Sequence, residues 1–379
     1  MPFAAAISEH PDGAEACAEV VGEILETIGS QPELATLFLT APHTAAVEDM
    51  TQAVQDALAP TVLLGAAAVS VIGRDREIEE RPAVSLWAGH FGARATPVRL
   101  DTVTTADGMV IVGMPPVPDD SSQAMILIPD PFSFPADVFI DGLATEHPDL
   151  RILGGLASAA GAPGGNRLIL DGEVFRDGAV GVLIDPGEVL TTVVSQGCRP
   201  IGRPYTVTAA EGNTIFELGG EPALKRLQEL VGSLDNHERT LVSHGLHLGR
   251  VIDESKLDFE RGDFLIRGVL GGDDTDGSLV VGDRIEVGTA VQFQVRDGLT
   301  AGEDLNELLA GQPAGGALVF TCNGRGTHMF DTPSHDARAV TDHSGTMATG
   351  GMFCAGEIGP VGTRNFLHGF TASVGLFRD

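Results

Sequence analysis

The chain has 379 residues, 43% of them hydrophobic and 20% charged, which excludes extensive disorder and is long enough for two cores. With 53 acids against 23 bases, its formal charge of −30 repels a phosphate backbone and an anionic bilayer alike, so neither nucleic acid nor membrane is an expected partner. Cys17, Cys198, Cys322 and Cys354 are far apart and lack zinc-ribbon or CxxC spacing, so they are expected to be reduced, buried thiols in the cytoplasm rather than a metal site; no cofactor is expected either.

The first periodic segment is a helix over 14–28, with Cys17, Val20, Val21, Ile24, Leu25 and Ile28 on one face and Glu15, Glu19, Glu23 and Glu26 on the other. No basic and then apolar leader opens the sequence, so no signal peptide is expected. The uncharged run 57–73 holds Pro60 and falls short of the roughly 18–20 apolar residues of a membrane helix. From Leu34 one pattern occurs twice. The first copy is a strand (34–40), a helix (45–58), a strand (62–64) entering GAAAVSVIG, and an apolar strand (83–88). The second is a strand (124–129), a helix (135–146), a strand (150–153) entering GGLASAAG, and an apolar strand (179–184). Each β-helix-β passage has the length of a right-handed crossover between parallel strands, and the pattern reads as an internal duplication. Asp171-Gly172 between two short apolar runs marks a two-residue hairpin, so antiparallel strands are expected beside the parallel ones. Neither glycine segment is a P-loop or a full dinucleotide fingerprint.

The expected fold class is therefore α/β: duplicated β-α-β units forming mixed sheets flanked by helices, plus a second α+β domain. The expected division is an N-terminal helix over 1–30, a duplicated domain over 31–220 and a second domain over 221–379. In the second domain a hairpin turns at Glu211-Gly212-Asn213, a helix spans 221–231, and strands cover 263–270, 278–281 and 290–296 before a short helix at 301–309. GDDTDG at 272–277 has the wrong acidic spacing for a calcium loop and reads as a hairpin turn.

Function is expected to gather in GALVFTCNGRGTHMF and GGMFCAGEIGPVGTRNFLHGFTASVGL, between Gly316 and Leu376. Two short buried strands there end in glycine-rich turns that carry Arg325 and Glu357. Arg325 between two glycines suits a carboxylate or phosphate, or is an exposed turn residue. Asn323 can meet a ligand amide or fold back on its own turn. Glu357 points at a ligand amine or pairs internally, with Arg325 one such partner. His368 is a ligand contact, a metal ligand or a hydrogen-bonded core imidazole, and Asn365 lies on the same segment. The enzyme alternative uses Cys322 as nucleophile with His368 or His328 as base.

CNGRG followed by GEIGP and NFLHGFTAS resembles the C-terminal half of the FIST proteins, and the resemblance extends over most of the chain. It implies FIST N and FIST C domains, sensory signal transduction and a small ligand, and its ligand class agrees with the residues, since an arginine, a glutamate and an amide suit an amino acid or other small carboxylate, with Asn323, Arg325, Glu357, Asn365 and His368 the expected binding set. A signalling protein would be the further partner, or the chain would serve as an interaction scaffold. The sequence departs from the family at Gly65-Ala66-Ala67-Ala68, where relatives tend to carry Cys and Ser/Thr. Residues 1–30 show no F-box pattern, and no kinase, cyclase or methyl-accepting segment is expected, so the ubiquitin-linked role of some relatives does not carry over.

Overall fold

Leu34–Thr40 is apolar nearly throughout because both of its faces are covered. In the computed structural model, which describes residues 2–378 other than 107, 118–122, 255, 257–258 and 260, this strand is the centre of a unit. Helix Val47–Leu58 leads to the parallel strand Val62–Ala68, and Val84–Gly89 returns antiparallel on the other side. The second unit repeats the order: central strand Ala124–Pro129, helix Ala136–Glu146, parallel strand Arg151–Gly155 and return strand Ala179–Asp185. The mixed α/β architecture and the duplication are as the sequence indicates.

A third unit lies beyond the twofold repeat visible in the sequence. Gly316–Cys322 is its central strand, His335–Ser344 its helix, Thr349–Cys354 the parallel strand and Thr371–Phe377 the return. One glycine fixes the equivalence. A Cβ on Gly65 would lie 2.0 Å from the carbonyl oxygen of Leu37, on Gly154 1.9 Å from that of Leu127, and on Gly351 2.0 Å from that of Val319. Each of these glycines also faces an isoleucine across the sheet: Ile169, Ile358 and Ile72.

Those isoleucines belong to hairpins, and the hairpins are exchanged. The first unit's hairpin, Ser70–Gly73 with Arg76–Glu79, extends the third unit's sheet beside Thr349–Cys354. The third unit's, Glu357–Val361 with Arg364–His368, extends the second unit's sheet beside Arg151–Gly155. The second unit's, Leu168–Leu170 with Glu173–Phe175, closes the cycle on Val62–Ala68 of the first. Asp171 and Gly172 turn this last hairpin with φ of 48° and 87°, the left-handed pair that Asp-Gly favours.

The three sheets share one core. Phe38, Val71, Trp87, Ile126, Leu153, Val182, Phe320, Met352 and Phe377 belong to it, and the Trp87 ring lies 5.0 Å from that of Phe377, with its Nε1 donating to the Ala348 carbonyl at 2.9 Å. The opposite face of each sheet packs on helices and forms a separate cluster. Helix Gly13–Ile28 covers the first sheet, started by Asp12, whose carboxylate accepts from Ala14 N and Glu15 N, and stopped at Gly29 with φ 78°.

By packing, the chain divides into one unit of Met1–Ser195 with Leu305–Asp379 and another of Gln196–Asp304. The segment 221–379 is thus shared between both, because its last strands complete sheets that the N-terminal half begins. Gln196–Asp304 holds a closed ring of antiparallel strands in the order Ala290–Arg296, Tyr205–Glu211, Thr214–Leu218, Ser278–Val281, Phe264–Asp273 and Leu246–Val251, the last pairing again with the first. Val207, Ile215, Leu248, Leu279, Val291 and Phe293 are in its core. Helix Asn236–His244 carries no sequence signal, since it has no buried residue to give it a periodic apolar face. The Asp-rich 272–277 segment is a hairpin turn, with Gly277 N donating to the Asp273 carbonyl.

Candidate functional site

The third unit's central strand ends by sending successive side chains to opposite faces. Leu318 and Phe320 enter the shared core while Ala317 and Val319 face the helix side, so Thr321 lies on the helix side and Cys322 on the core side. Two polar groups result at one strand end.

On the helix side Arg325 is wholly buried, and its fork is closed on Asp336, Nε to Oδ2 at 2.7 Å and Nη2 to Oδ1 at 2.8 Å. Thr321 Oγ1 donates to Oδ2 at 2.6 Å, and His335 Nδ1 donates to Oδ1 at 2.9 Å. Phe330 stacks on His335 with ring centroids 3.6 Å apart and receives the guanidinium on its ring at 5.1 Å. Burial would raise the Asp336 carboxyl, but Arg325 and these donors outweigh it and hold the group well below the usual carboxylate range. Glu77, from the donated first hairpin, lies in the same layer. Its Oε1 accepts from Ala337 N at 2.9 Å, while Oε2 and Arg325 Nη1 have no hydrogen-bond partner. Burial, and then the charge of Asp336, push the Glu77 carboxyl up to about 8.

On the core side Glu357 is wholly buried. Its Oε2 accepts from Thr371 N at 3.1 Å and Thr371 Oγ1 at 2.8 Å, whereas Oε1 has no partner with hydrogen-bond geometry. Burial raises this carboxyl to about 8 against the lowering effects of Thr371, of the Cys322 thiol and of the Arg325 charge. The Cys322 thiol interacts with the same carboxyl, and burial followed by the Glu357 charge drives it far above an ordinary thiol. That is the reverse of an activated thiolate. Cys354, in register with Cys322, is likewise raised by burial.

The structure thus brings Glu357 to Cys322 and gives Arg325 to Asp336. Asn323 is half-buried in the turn, its N donating to the Cys354 carbonyl and its Oδ1 unpaired. Asn365 spends both ends of its amide on backbone, Oδ1 accepting from Ile152 N at 2.8 Å and Nδ2 donating to the Leu150 carbonyl at 2.7 Å. His368 pairs in register with Glu357, and its Nε2 donates to the Gly359 carbonyl at 3.0 Å. His328 is exposed, 3.5 Å from Glu80. Among the described residues no group of three or more His, Cys, Asp or Glu is arranged to hold a metal ion, and no helix is long and apolar enough to cross a membrane.

The three units supply their own comparison. Counting from the glycine contacts, Glu357 corresponds to Val71 and Leu168, both in the shared core, and Thr371 corresponds to Ala83 and Gly178. Cys322 corresponds to Thr40, whose hydroxyl bonds to Ala83, and to Asp130, whose oxygens are taken by Asn166, Ser133 and Phe132 N. Only the third unit places a carboxyl with an unpaired oxygen at this level.

Residues 33–221 match the FIST N domain and 223–360 the FIST C domain. The chain belongs to the FIST family. It is 43% identical over 387 residues to the uncharacterized protein Rv0628c of Mycobacterium tuberculosis, covering 100% of both chains. It is 42% identical to the uncharacterized protein Mb0898c of Mycobacterium bovis, covering 100% of this chain and 99% of that one. FIST domains are associated with sensory signal transduction. The FIST N match takes in the hairpin that carries Glu77, and the FIST C match takes in Arg325, Asp336 and Glu357, so residues from both matches build the helix-side group. Sequence reasoning missed Asp336 and Glu77. Asp336 is an acid in the first turn of helix His335–Ser344, whose polar sequence hides its helical period. Glu77 had no signal, because nothing local says that its hairpin joins another unit.

Proposed function

We propose that this FIST protein is a cytoplasmic sensor that receives a small ligand, an amino acid or another small carboxylate, at the strand-end turns of its third unit. The observation that carries the reading is Glu357: a wholly buried carboxyl with one unpaired oxygen, where the two equivalent positions hold core valine and leucine. A buried polar atom left without a partner costs about 1–3 kcal/mol, so a ligand that pairs with it gains a stability difference between bound and free states. Asn323 keeps one unpaired atom, Oδ1, at the same strand end and joins Glu357 in the proposed ligand-binding set, while Arg325, on the opposite face with its fork closed on Asp336, positions the turn. Asn365 and His368 act in this reading by holding the hairpin that carries Glu357. Four free, buried thiols suit a reducing compartment. The signal would pass to a protein partner, with occupancy read as stiffening of the exchanged hairpin. A thermal-shift screen of amino acids and small carboxylates at millimolar concentration tests this: binders raise Tm in proportion to the logarithm of concentration, and a flat response across the set overturns the reading.

A further inference from the structure

Arg325 was the cation expected to meet a ligand's carboxylate, yet its bidentate fork is already closed on Asp336 and only Nη1 remains. The charged groups at this strand end are therefore unequally matched. Asp336 has its cation. Glu357 has none: its Oε2 is held by the neutral Thr371, its Oε1 has no partner of hydrogen-bond geometry, and the groups beside it are the neutral thiol of Cys322, which interacts with the carboxyl, and the register partner His368, which donates to Gly359. The unpaired atoms from Asn323 and Glu357 are both oxygens, which accept and do not donate once the carboxyl is ionised. The surface is close along the chain: Cys322 is 9% exposed, Asn323 and Gly324 are half-buried, and Ala355, two residues before Glu357, is exposed.

We propose that the group recognised at Glu357 is the ammonium of a small primary amine, entering past Cys322 and Asn323, and that a carboxylate on the ligand is dispensable. This rests on the ligand-binding reading above and narrows it. An ammonium supplies three donors and the missing positive charge. It converts an isolated buried carboxyl into a paired one, the condition under which a buried charge is tolerated. Charge balance sets a second consequence. Glu357 carries its proton near neutral pH, because burial raises it to about 8. The amine enters as RNH3+, the carboxyl gives its proton to buffer, and the bound state is the carboxylate–ammonium pair. Cys322 and Cys354, both raised, stay neutral, and Arg325 stays committed to Asp336. Binding at pH 7 therefore releases close to one proton per ligand.

The test uses the full chain and three matched probes: glycinamide, a cation; propionate, an anion; and glycine, which carries both charges. Glycinamide is expected to raise Tm and propionate to leave it unchanged. Calorimetry of glycinamide binding in phosphate and in MOPS at pH 7 is expected to show enthalpies that differ by the release of about one proton. Glu357→Gln is expected to weaken glycinamide at least tenfold and abolish the buffer dependence. Stabilisation by propionate and not by glycinamide overturns the ammonium assignment and leaves the ligand site standing. So does glycinamide binding that Glu357→Gln does not change, or binding without proton release. Silence of all three probes overturns the assignment, and with silence across the wider amino acid and carboxylate set the site falls too. If Glu357→Gln does not fold, the probe comparison and proton count on the unaltered chain decide alone.

Discussion

Glu357 and Glu77 are buried carboxyls without a cation hydrogen-bonded to them, and their effect on stability has a definite sign. A carboxyl with a folded value of about 8 and an unfolded value near 4.5 binds more protons in the folded state between those limits. Stability then falls as pH rises through that window, with no loss below it. Asp336 does the opposite: held below its unfolded value, it contributes stability above that value and loses it on acidification. The expected outcome is a Tm that declines from pH 5 to 8.5 in the unaltered chain and a shallower decline in Glu357→Gln and in Glu77→Gln, measured in amine-free buffers. An equal slope in all three proteins would show that neither carboxyl is protonated in the fold.

At the scale of elements, the recurring glycine is the tightest constraint. Gly154 and Gly351 have φ of 149° and 159°, and all three glycines leave their would-be Cβ about a bond length and a half from a backbone oxygen of the neighbouring strand. Backbone cannot step aside as a side chain does. Gly65→Ala, Gly154→Ala and Gly351→Ala are each expected to cost about 1–3 kcal/mol or more, read as a shift of the urea midpoint, and to be similar because the contact is the same. Ala substitution at Gly142, with nothing within 4 Å of a Cβ, is the control that should not destabilise. Much of this layer was legible in the sequence. The central strands are apolar runs, the helices are periodic, and Asp171-Gly172 announces its turn. The third unit escaped because its helix, with His335, Asp336, Arg338, Asp342 and His343 in ten residues, looks polar while burying Ala337, Ala339 and Val340. Strand-end chemistry at Arg325 and Glu357 was visible as residue type. The choice of partner was not, since it depends on which face of one strand each side chain takes and on hairpins that local sequence cannot assign.

Over the whole molecule, the boundary that the domain matches draw near residue 222 does not coincide with the packing boundaries at 195 and 305. Gln196–Asp304 closes its own strand ring and keeps its own core. Expressed alone, it is expected to unfold in a single cooperative transition by circular dichroism. A fragment ending at residue 222 should not, because it leaves the first hairpin and the strand Arg151–Gly155 without their third-unit partners. A sharp transition in that longer fragment would mean that the exchanged strands contribute little.

The hairpin exchange also sets an order of events during synthesis. Residues 70–79 leave the ribosome early, yet the strand they pair with, Thr349–Cys354, is among the last to be made. At about 5–20 residues per second, that wait is on the order of tens of seconds. Throughout it the edge of Ser70–Gly73 that will pair with that strand has no partner strand, so the nascent chain carries an open ribbon edge until its own tail arrives.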